Sequence, residues 1–370
     1  MISIKIFEFL SKLYLISLFT EQCHANDRPN IIFILADDLG FNDVSFHGSS
    51  QIPTPNIDAL AYSGIILNRY YVTPLCTPSR ASLLTGKYPI HTGTQHDVIR
   101  AMEPWGLSLN ETLLPQYLNE LGYKSHIVGK WHLGHWKRAY TPLFRGFESH
   151  VGYWTGRHDY NDHTAMESNT YGYDMRRGMD VAWDLHGKYT TDVITEESIK
   201  IISKHEPNNS LFLYISHLAA HSCMEYNPLP APDEVVEEMK HIEDYMRRRY
   251  AAIVTKLDRS VGDVVEALSR KNMLKNSIIV FSTDNGGAPE GFNLNHGSNW
   301  PLRGAKYNLW EGGVRGVGLM WSPLLKNQQR VSHQMMHITD WLPTLYTAAG
   351  GDASTLPRNL DGITQKGDFT

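Results

Sequence analysis

Residues 31–36 (IIFILA) form an unbroken apolar run that stops on two carboxylates, Asp37 and Asp38. A strand with one wet face alternates apolar and polar residues. A run without alternation marks a strand buried on both faces, as in a parallel sheet covered by helices. Residues 211–215 and 278–281 repeat the pattern, and 314–321 follow it more loosely. Helical patterns lie between them at residues 56–62, 111–120, 191–204, 233–269 and 341–348. This alternation predicts an α/β core, a mainly parallel sheet with helices on both faces. Residues 135–187 differ, being rich in Tyr, Gly, His and Asp with little periodicity, and read as long loops over the core rather than a separate domain.

With 370 residues the chain is long enough for one large domain, and its 20% charged and 42% hydrophobic residues suit a globular protein. A net charge of −5 gives no support to nucleic-acid binding, which draws on a basic face. At the N-terminus, Lys5 and Lys12 accompany the apolar run 13–19, and Cys23-His24-Ala25 offers a small-residue cleavage site. Residues 1–25 therefore read as a secretory signal peptide, and no later stretch is apolar for long enough to span a membrane in the mature chain. The mature chain keeps Cys76 and Cys223, which by themselves read as one disulfide or as buried thiols. Asn110 and Asn208 open sequons that would be glycosylated in a secreted protein.

Two of the predicted strands end in oxygen ligands. Residues 31–36 lead into Asp37-Asp38, and 278–281 lead into Asp284-Asn285-Gly286-Gly287. Ligands of open α/β sheets bind outside the carboxyl ends of the strands, so both clusters fall where a site is expected. Three carboxylates gathered at one edge are unfavourable unless a cation neutralises them, and all-oxygen ligation selects Ca²⁺ or Mg²⁺ over zinc. Taken singly, each pair also reads as a helix cap or a tight turn. Farther on, Cys76-Thr77-Pro78-Ser79-Arg80 with Gly86 predicts a helix that starts near Cys76 and ends at the glycine. Cys76 then sits among the exposed N–H groups of a helix start, which favour anions, and Arg80 follows one turn later on the same side.

The run CTPSRASLLTG (76–86) resembles the sulfatase signature, in which the cysteine of C-x-P-S-R is oxidised to formylglycine. GYKSHIVGKWHLG (122–134) resembles the second sulfatase signature, and LRGAKYNLWEGGVRG (302–316) is similar to the arylsulfatase B (N-acetylgalactosamine-4-sulfatase) branch. The resemblance runs from about Arg28 to Asp361. It implies an alkaline-phosphatase-like core with a catalytic domain over residues 26–363. The implied activity is hydrolysis of a sulfuric ester, on a sulfated sugar of the glycosaminoglycan N-acetylgalactosamine 4-sulfate type or on an aryl sulfate. The implied cofactors are one calcium ion, on Asp37, Asp38, Asp284, Asn285 and the modified Cys76, and the formylglycine itself. In the family the formylglycine hydrate is the nucleophile, and it afterwards expels sulfate by collapsing to the aldehyde.

Carried over in the same way, Arg80 steadies the hydrate, while Lys130, His132 and Lys306 bind sulfate and take part in acid–base chemistry. His221 protonates the leaving group, with His217 a rival on the same strand. The family has a proline soon after this histidine, whereas Ser222-Cys223 follow here. Implied partners are a sulfated carbohydrate and the formylglycine-generating enzyme, and the implied destination is the lysosome or the extracellular space. Family members continue past the point matching Asp361 into a smaller domain, which in this chain is expected to be largely missing, with 364–370 a divergent tail and apolar surface left uncovered. Two other readings remain open at this level: a phosphate or phosphonate ester hydrolase of the same superfamily, and a truncated sulfatase-like binding protein of weak activity. Substrate choice is expected from loops around the pocket, at residues 90–110 and 135–187.

Overall fold

The computed structural model describes residues 28–167, 170–291 and 293–365. The expected signal peptide and most of the divergent tail lie outside the described residues. The strands are β1 (Asn30–Ala36), β2 (Ile65–Tyr71), β3 (Tyr123–Lys130), β4 (Ser149–Tyr153), β5 (Thr164–Glu167), β6 (Thr170–Tyr173), β7 (Arg176–Arg177), β8 (Asp180–Val181), β9 (Ser210–Ser216), β10 (Ser277–Thr283), β11 (Gly318–Trp321) and β12 (Arg330–His337). The longer helices are α1 (Pro55–Ser63), α2 (Cys76–Thr85), α3 (Leu114–Glu120), α4 (Thr190–Lys204), α5 (Asp233–Glu238), α6 (Tyr245–Arg270) and α7 (Trp341–Ala348).

One 10-stranded sheet runs β12-β2-β11-β10-β1-β9-β3-β4-β7-β8. Its middle is parallel, with β1 between β10 and β9, and β3 between β9 and β4. β11 and β7 run antiparallel to their neighbours, so the sheet is mixed but mostly parallel. This is the mainly parallel α/β architecture expected from the buried strand runs.

The apolar runs are unbroken because β1, β9 and β10 are buried along their whole length. Ile32, Ile34 and Ala36 belong to one core layer with Tyr250, Val254 and Leu257 of α6. Ile31, Phe33 and Leu35 belong to the other, with Leu83 and Leu84 of α2 and Trp341 of α7. Each such aliphatic side chain contributes about 1.5–3 kcal/mol by leaving water.

Two expectations need correction. The helical pattern at 233–269 is two helices, because Asp244 accepts the Arg247 N–H at 2.7 Å and so caps a fresh start at α6. The stretch 135–187 is not all loop: β4 extends the parallel sheet, β7 and β8 follow it, and β5 pairs with β6 as a separate hairpin. These strands are short and polar, so neither a buried run nor clear alternation announces them.

β3 is squeezed between β9 and β4 at Gly129, one residue before Lys130. Gly129 has φ 103°, and a Cβ there would lie 1.9 Å from the Ser216 carbonyl oxygen. Gly122 has φ 88° but nothing within 4 Å of a built Cβ. Gly129→Ala is therefore expected to lower the free energy of unfolding by about 2–4 kcal/mol, and Gly122→Ala by only about 1–2 kcal/mol from backbone strain. Urea denaturation of the two variants measures the difference, and equal losses would contradict the close approach.

Candidate active site

The parallel strands deliver their last residues to one edge. β1 hands on Asp37 and Asp38, β10 hands on Asp284 and Asn285, β3 ends at Lys130 with His132 shortly after, and the exit of β9 carries His221. All seven of these residues are buried. Backbone bonds tie the exits together: Asp284 N–H donates to the Ala36 carbonyl at 3.1 Å, and Asp37 N–H donates to the Ala219 carbonyl at 2.9 Å.

α2 arrives from below. It begins at Cys76 and ends at Gly86 in the left-handed region (φ 68°), as its proline and glycine predicted, and every residue of it is buried. Burial of so polar a helix demands partners. Ser79 accepts the Thr73 N–H at 3.0 Å and donates to the Asp284 carbonyl. Arg80 donates from Nη2 to Asp284 Oδ2 at 2.8 Å and from Nη1 to Ser216 Oγ.

Three carboxylates thus face three cations. Lys130 Nζ lies 2.5 Å from Asp37 Oδ2, and Lys306 Nζ lies 2.7 Å from Asp38 Oδ2. The Arg80 guanidinium is 3.7 Å from Asp37 as well as bonded to Asp284. Burial, and then the neighbouring Asp284 carboxylate, push Asp37 up to about 7 against the pull of Lys130 and Arg80. Asp284 is buried too, but Arg80 and Lys130 outweigh that penalty and hold it below the ordinary carboxylate value. Cys76 Sγ lies 3.4 Å from Asp37 Oδ1, and burial followed by the Asp37 charge raises its thiol well above the usual range.

Burial, with Lys130 and Arg80, holds His132 well below the ordinary imidazole value. Burial with Lys306 and Lys130 does the same for His221. Both rings are therefore neutral near pH 7. His221 Nδ1 donates to the Ser222 carbonyl, which leaves Nε2 to accept from Lys306 Nζ at 3.1 Å. His217 does not join the cluster: its Nε2 meets Ser260 Oγ of α6 at 3.3 Å, and burial holds it down to about 3. Cys76 and Cys223 are separate, buried free thiols, so they form no disulfide with each other.

The carboxylates and their neighbours form a group that could hold a metal ion. Ligand atoms of Asp37, Asp38, Cys76 and His221 lie within 4.8 Å of one another. Asn285 Oδ1 is buried with no hydrogen-bond partner among the described residues, although its Nδ2 donates to Asp38 Oδ1 at 2.7 Å. Asp284 stands beside the group, with Oδ1 accepting the Asp38 N–H at 3.2 Å. Cys76, His132, His221 and Lys306 open onto a cavity of about 260 Å³ that Arg157 and Asn293 also line. Neither ring nitrogen of His132 has a partner among the described residues.

Sequence reasoning missed several supporting groups. Asn293 Nδ2 is 3.3 Å from His221 Nε2. Asn295 Nδ2 donates to the Asp38 and Ala220 carbonyls at 2.9 and 3.0 Å, fixing two of the exits. The recurrence of asparagine at 293, 295 and 299, soon after Asp284-Asn285, was the available signal.

A mostly parallel sheet that gathers carboxylates, basic side chains and a helix-start cysteine at its carboxyl edge has the alkaline-phosphatase-like fold. Residues 29–351 match the sulfatase family model, and the chain belongs to the sulfatase family. It is 47% identical over 326 residues to arylsulfatase J of Mus musculus, an alignment covering 88% of this chain and 53% of that protein. It is 32% identical over 361 residues to N-acetylgalactosamine-6-sulfatase of Homo sapiens, covering 92% of this chain and 65% of that one. The chain thus spans between about half and two thirds of the length of these curated relatives. The crystal structure of Ps i-CgsB superposes with a TM-score of 0.84 at 32% identity, over 92% of this chain and 76% of that one.

The carboxylate crowding has a measurable signature. Folded Asp37 keeps its proton up to about 7, whereas the unfolded chain releases it near 3.8. In protein stripped of divalent cations, this group's contribution is present below 3.8 and is lost as pH rises to about 7. Stability should fall with pH across that window, and Asp37→Asn should flatten the slope. Chemical denaturation of both proteins at stepped pH checks this, and a wild-type stability that rises relative to Asp37→Asn through the window contradicts it.

Proposed function

We propose that the chain is a sulfuric ester hydrolase acting on a sulfated sugar, of the glycosaminoglycan N-acetylgalactosamine 4-sulfate type, or on an aryl sulfate. The observation that carries this is that Cys76, His132, His221 and Lys306 line one cavity, while Arg80, Lys130 and the three carboxylates form a buried ion-pair network with Lys306 behind Cys76. The relatives point the same way. Human N-acetylgalactosamine-6-sulfatase is named for a sulfated amino sugar, and Ps i-CgsB has been solved with k-i-k-neocarrahexaose.

As a thiol, Cys76 is held protonated and is a poor nucleophile. Its oxidation to formylglycine by a formylglycine-generating enzyme, in a chain entering the secretory pathway for the lysosome or the cell exterior, belongs to this reading. Asp37, Asp38, Asp284, Asn285 and position 76 would hold calcium. When present, the hydrated aldehyde supplies an oxygen nucleophile, and calcium supplies a Lewis acid beside the sulfate oxygens.

The chain's own side chains do the rest. Lys130, Lys306 and the unpartnered His132 ring bind and orient the sulfate, where negative charge grows as the ester breaks. Arg80 keeps position 76 and Asp284 in register. Lys306 Nζ, which donates to His221 Nε2, holds its proton beside that ring, where the leaving oxygen can take it up. Buried walls keep bulk water from weakening these charges.

Four outcomes are expected. The peptide carrying Cys76, from chain expressed through a secretory pathway, should have exchanged the mass of sulfur for that of oxygen, and Cys76→Ser should abolish aryl sulfate turnover with secretion intact. An unmodified thiol in chain of full activity would sink the modification. Lys306→Ala should lower kcat by about 10²–10³. Chelation should remove activity and calcium restore it, and turnover that survives exhaustive chelation counts against the cation.

A further inference from the structure

Ala288 and Asn295 close the base of a short loop at the wall of the cavity. Asn295 N–H donates to the Ala288 carbonyl at 2.8 Å, and Asn295 Oδ1 accepts the Ala288 N–H at 3.1 Å. Because the same side chain holds the Asp38 and Ala220 carbonyls, the base is fixed to the exits of β1 and β9. Within the loop, Gly291 and Asn293 lie in the left-handed region, at φ 73° and 59°. Glycine adopts that region freely, and asparagine is among the few other residues that tolerate it. Glycine would therefore serve the backbone at 293 as well, which leaves the amide for another task.

That amide meets His221. Asn293 Nδ2 lies 3.3 Å from Nε2, the Asn293 carbonyl accepts the Ser222 Oγ–H at 3.0 Å, and the Ser222 carbonyl accepts from His221 Nδ1. The ring is thus gripped at both nitrogens by two residues that are bonded to each other across 71 positions of chain. With Nδ1 donating, Nε2 offers only a lone pair, so the amide must present its N–H there. Lys306 Nζ also donates to Nε2, but it is shared with Asp38 Oδ2 at 2.7 Å. Ser222-Cys223 are the residues at which the sequence departs from the family, which has a proline soon after the histidine. Cys223 N–H donates to the Pro228 carbonyl at 2.8 Å, a bond for which proline lacks the hydrogen. The departure therefore falls on the segment that grips His221.

We infer that Asn293 is a positioning residue that acts through His221. Together with Ser222 it fixes the imidazole, so that Nε2 keeps the Lys306 Nζ proton aligned with the leaving oxygen. Asn293 itself neither gives nor takes a proton. This role rests on the sulfuric ester reading of the cavity and adds a residue to it. Proton delivery matters most to a basic leaving oxygen and least to an acidic one, which separates alignment of the ring from general loosening of the site.

The test compares kcat and KM on phenyl sulfate, which releases a basic oxygen, and on 4-nitrophenyl sulfate, which releases an acidic one. Asn293→Gly leaves the backbone free to hold its left-handed turn. It should lower kcat about tenfold on phenyl sulfate and less than about twofold on 4-nitrophenyl sulfate, with KM little changed on either. Asn293→Asp, of the same size but with an acceptor in place of the donor, should show the same selective loss of kcat. Ser222→Ala should show a smaller one and add little to Asn293→Gly, because both act through one ring. Equal losses on the two esters, or no loss on either, overturn the positioning role. If the unsubstituted chain hydrolyses neither ester, the proposed activity falls, and imidazole ¹⁵N NMR decides the grip on the ring by itself. With the His221 signals identified by their loss in His221→Gln, the Nε2 resonance should move downfield in Asn293→Gly as it loses a donor. An unmoved resonance overturns the contact.

Discussion

The charge balance at the carboxyl edge of the sheet governs the rest of the molecule. Asp37, Asp38 and Asp284 are matched by Arg80, Lys130 and Lys306, all buried. Such a set is tolerable only complete, since deleting one partner of a buried pair typically costs about 3–5 kcal/mol. The six charges arrive on five elements, Asp37 and Asp38 together after β1 and the others on β10, α2, β3 and the loop before β11. The network can form only when the sheet is in register and α2 is docked. The same residues that suit an anion also report that the core is correctly assembled.

The balance also bears on binding. A divalent cation among these carboxylates turns a neutral set net positive, and an anionic ligand then offsets the excess. A cation and an anion bound there would be coupled, each strengthening the other by the same factor. The neutral imidazoles of His132 and His221 fit this arrangement, because charged rings beside Lys130 and Lys306 would add a repulsion that burial could not screen.

Much of this was legible in the sequence where burial leaves a one-dimensional trace. β1, β9 and β10 show as unbroken apolar runs because both their faces are covered, and α2 is bracketed by its own proline and glycine. The cluster around Cys76 was legible because its members fall in short motifs at strand exits. Other features leave no such trace. β12 has polar residues on both faces and a register shift between Ser332 and Met335, as an edge strand can. β7 and β8 are two residues each, too short for periodicity to speak. The break between α5 and α6 depended on whether Asp244 would cap, a choice made by local geometry. Asn293 and Asn295 matter through contacts with residues 72 and 257 positions away, which no local pattern encodes.

The burial of α2 sets an order of events. Cys76 is 2% exposed, and the helix that follows it has no solvent-facing residue. Arg80 and Ser79 clamp that helix to Asp284 from within. No second protein can close its own active site around a side chain so enclosed. Any enzyme that alters Cys76 must work while the segment is still extended, before α2 docks. Under the proposed modification, a chain that folds first would be sealed with its thiol, and only unfolding would give it another opportunity.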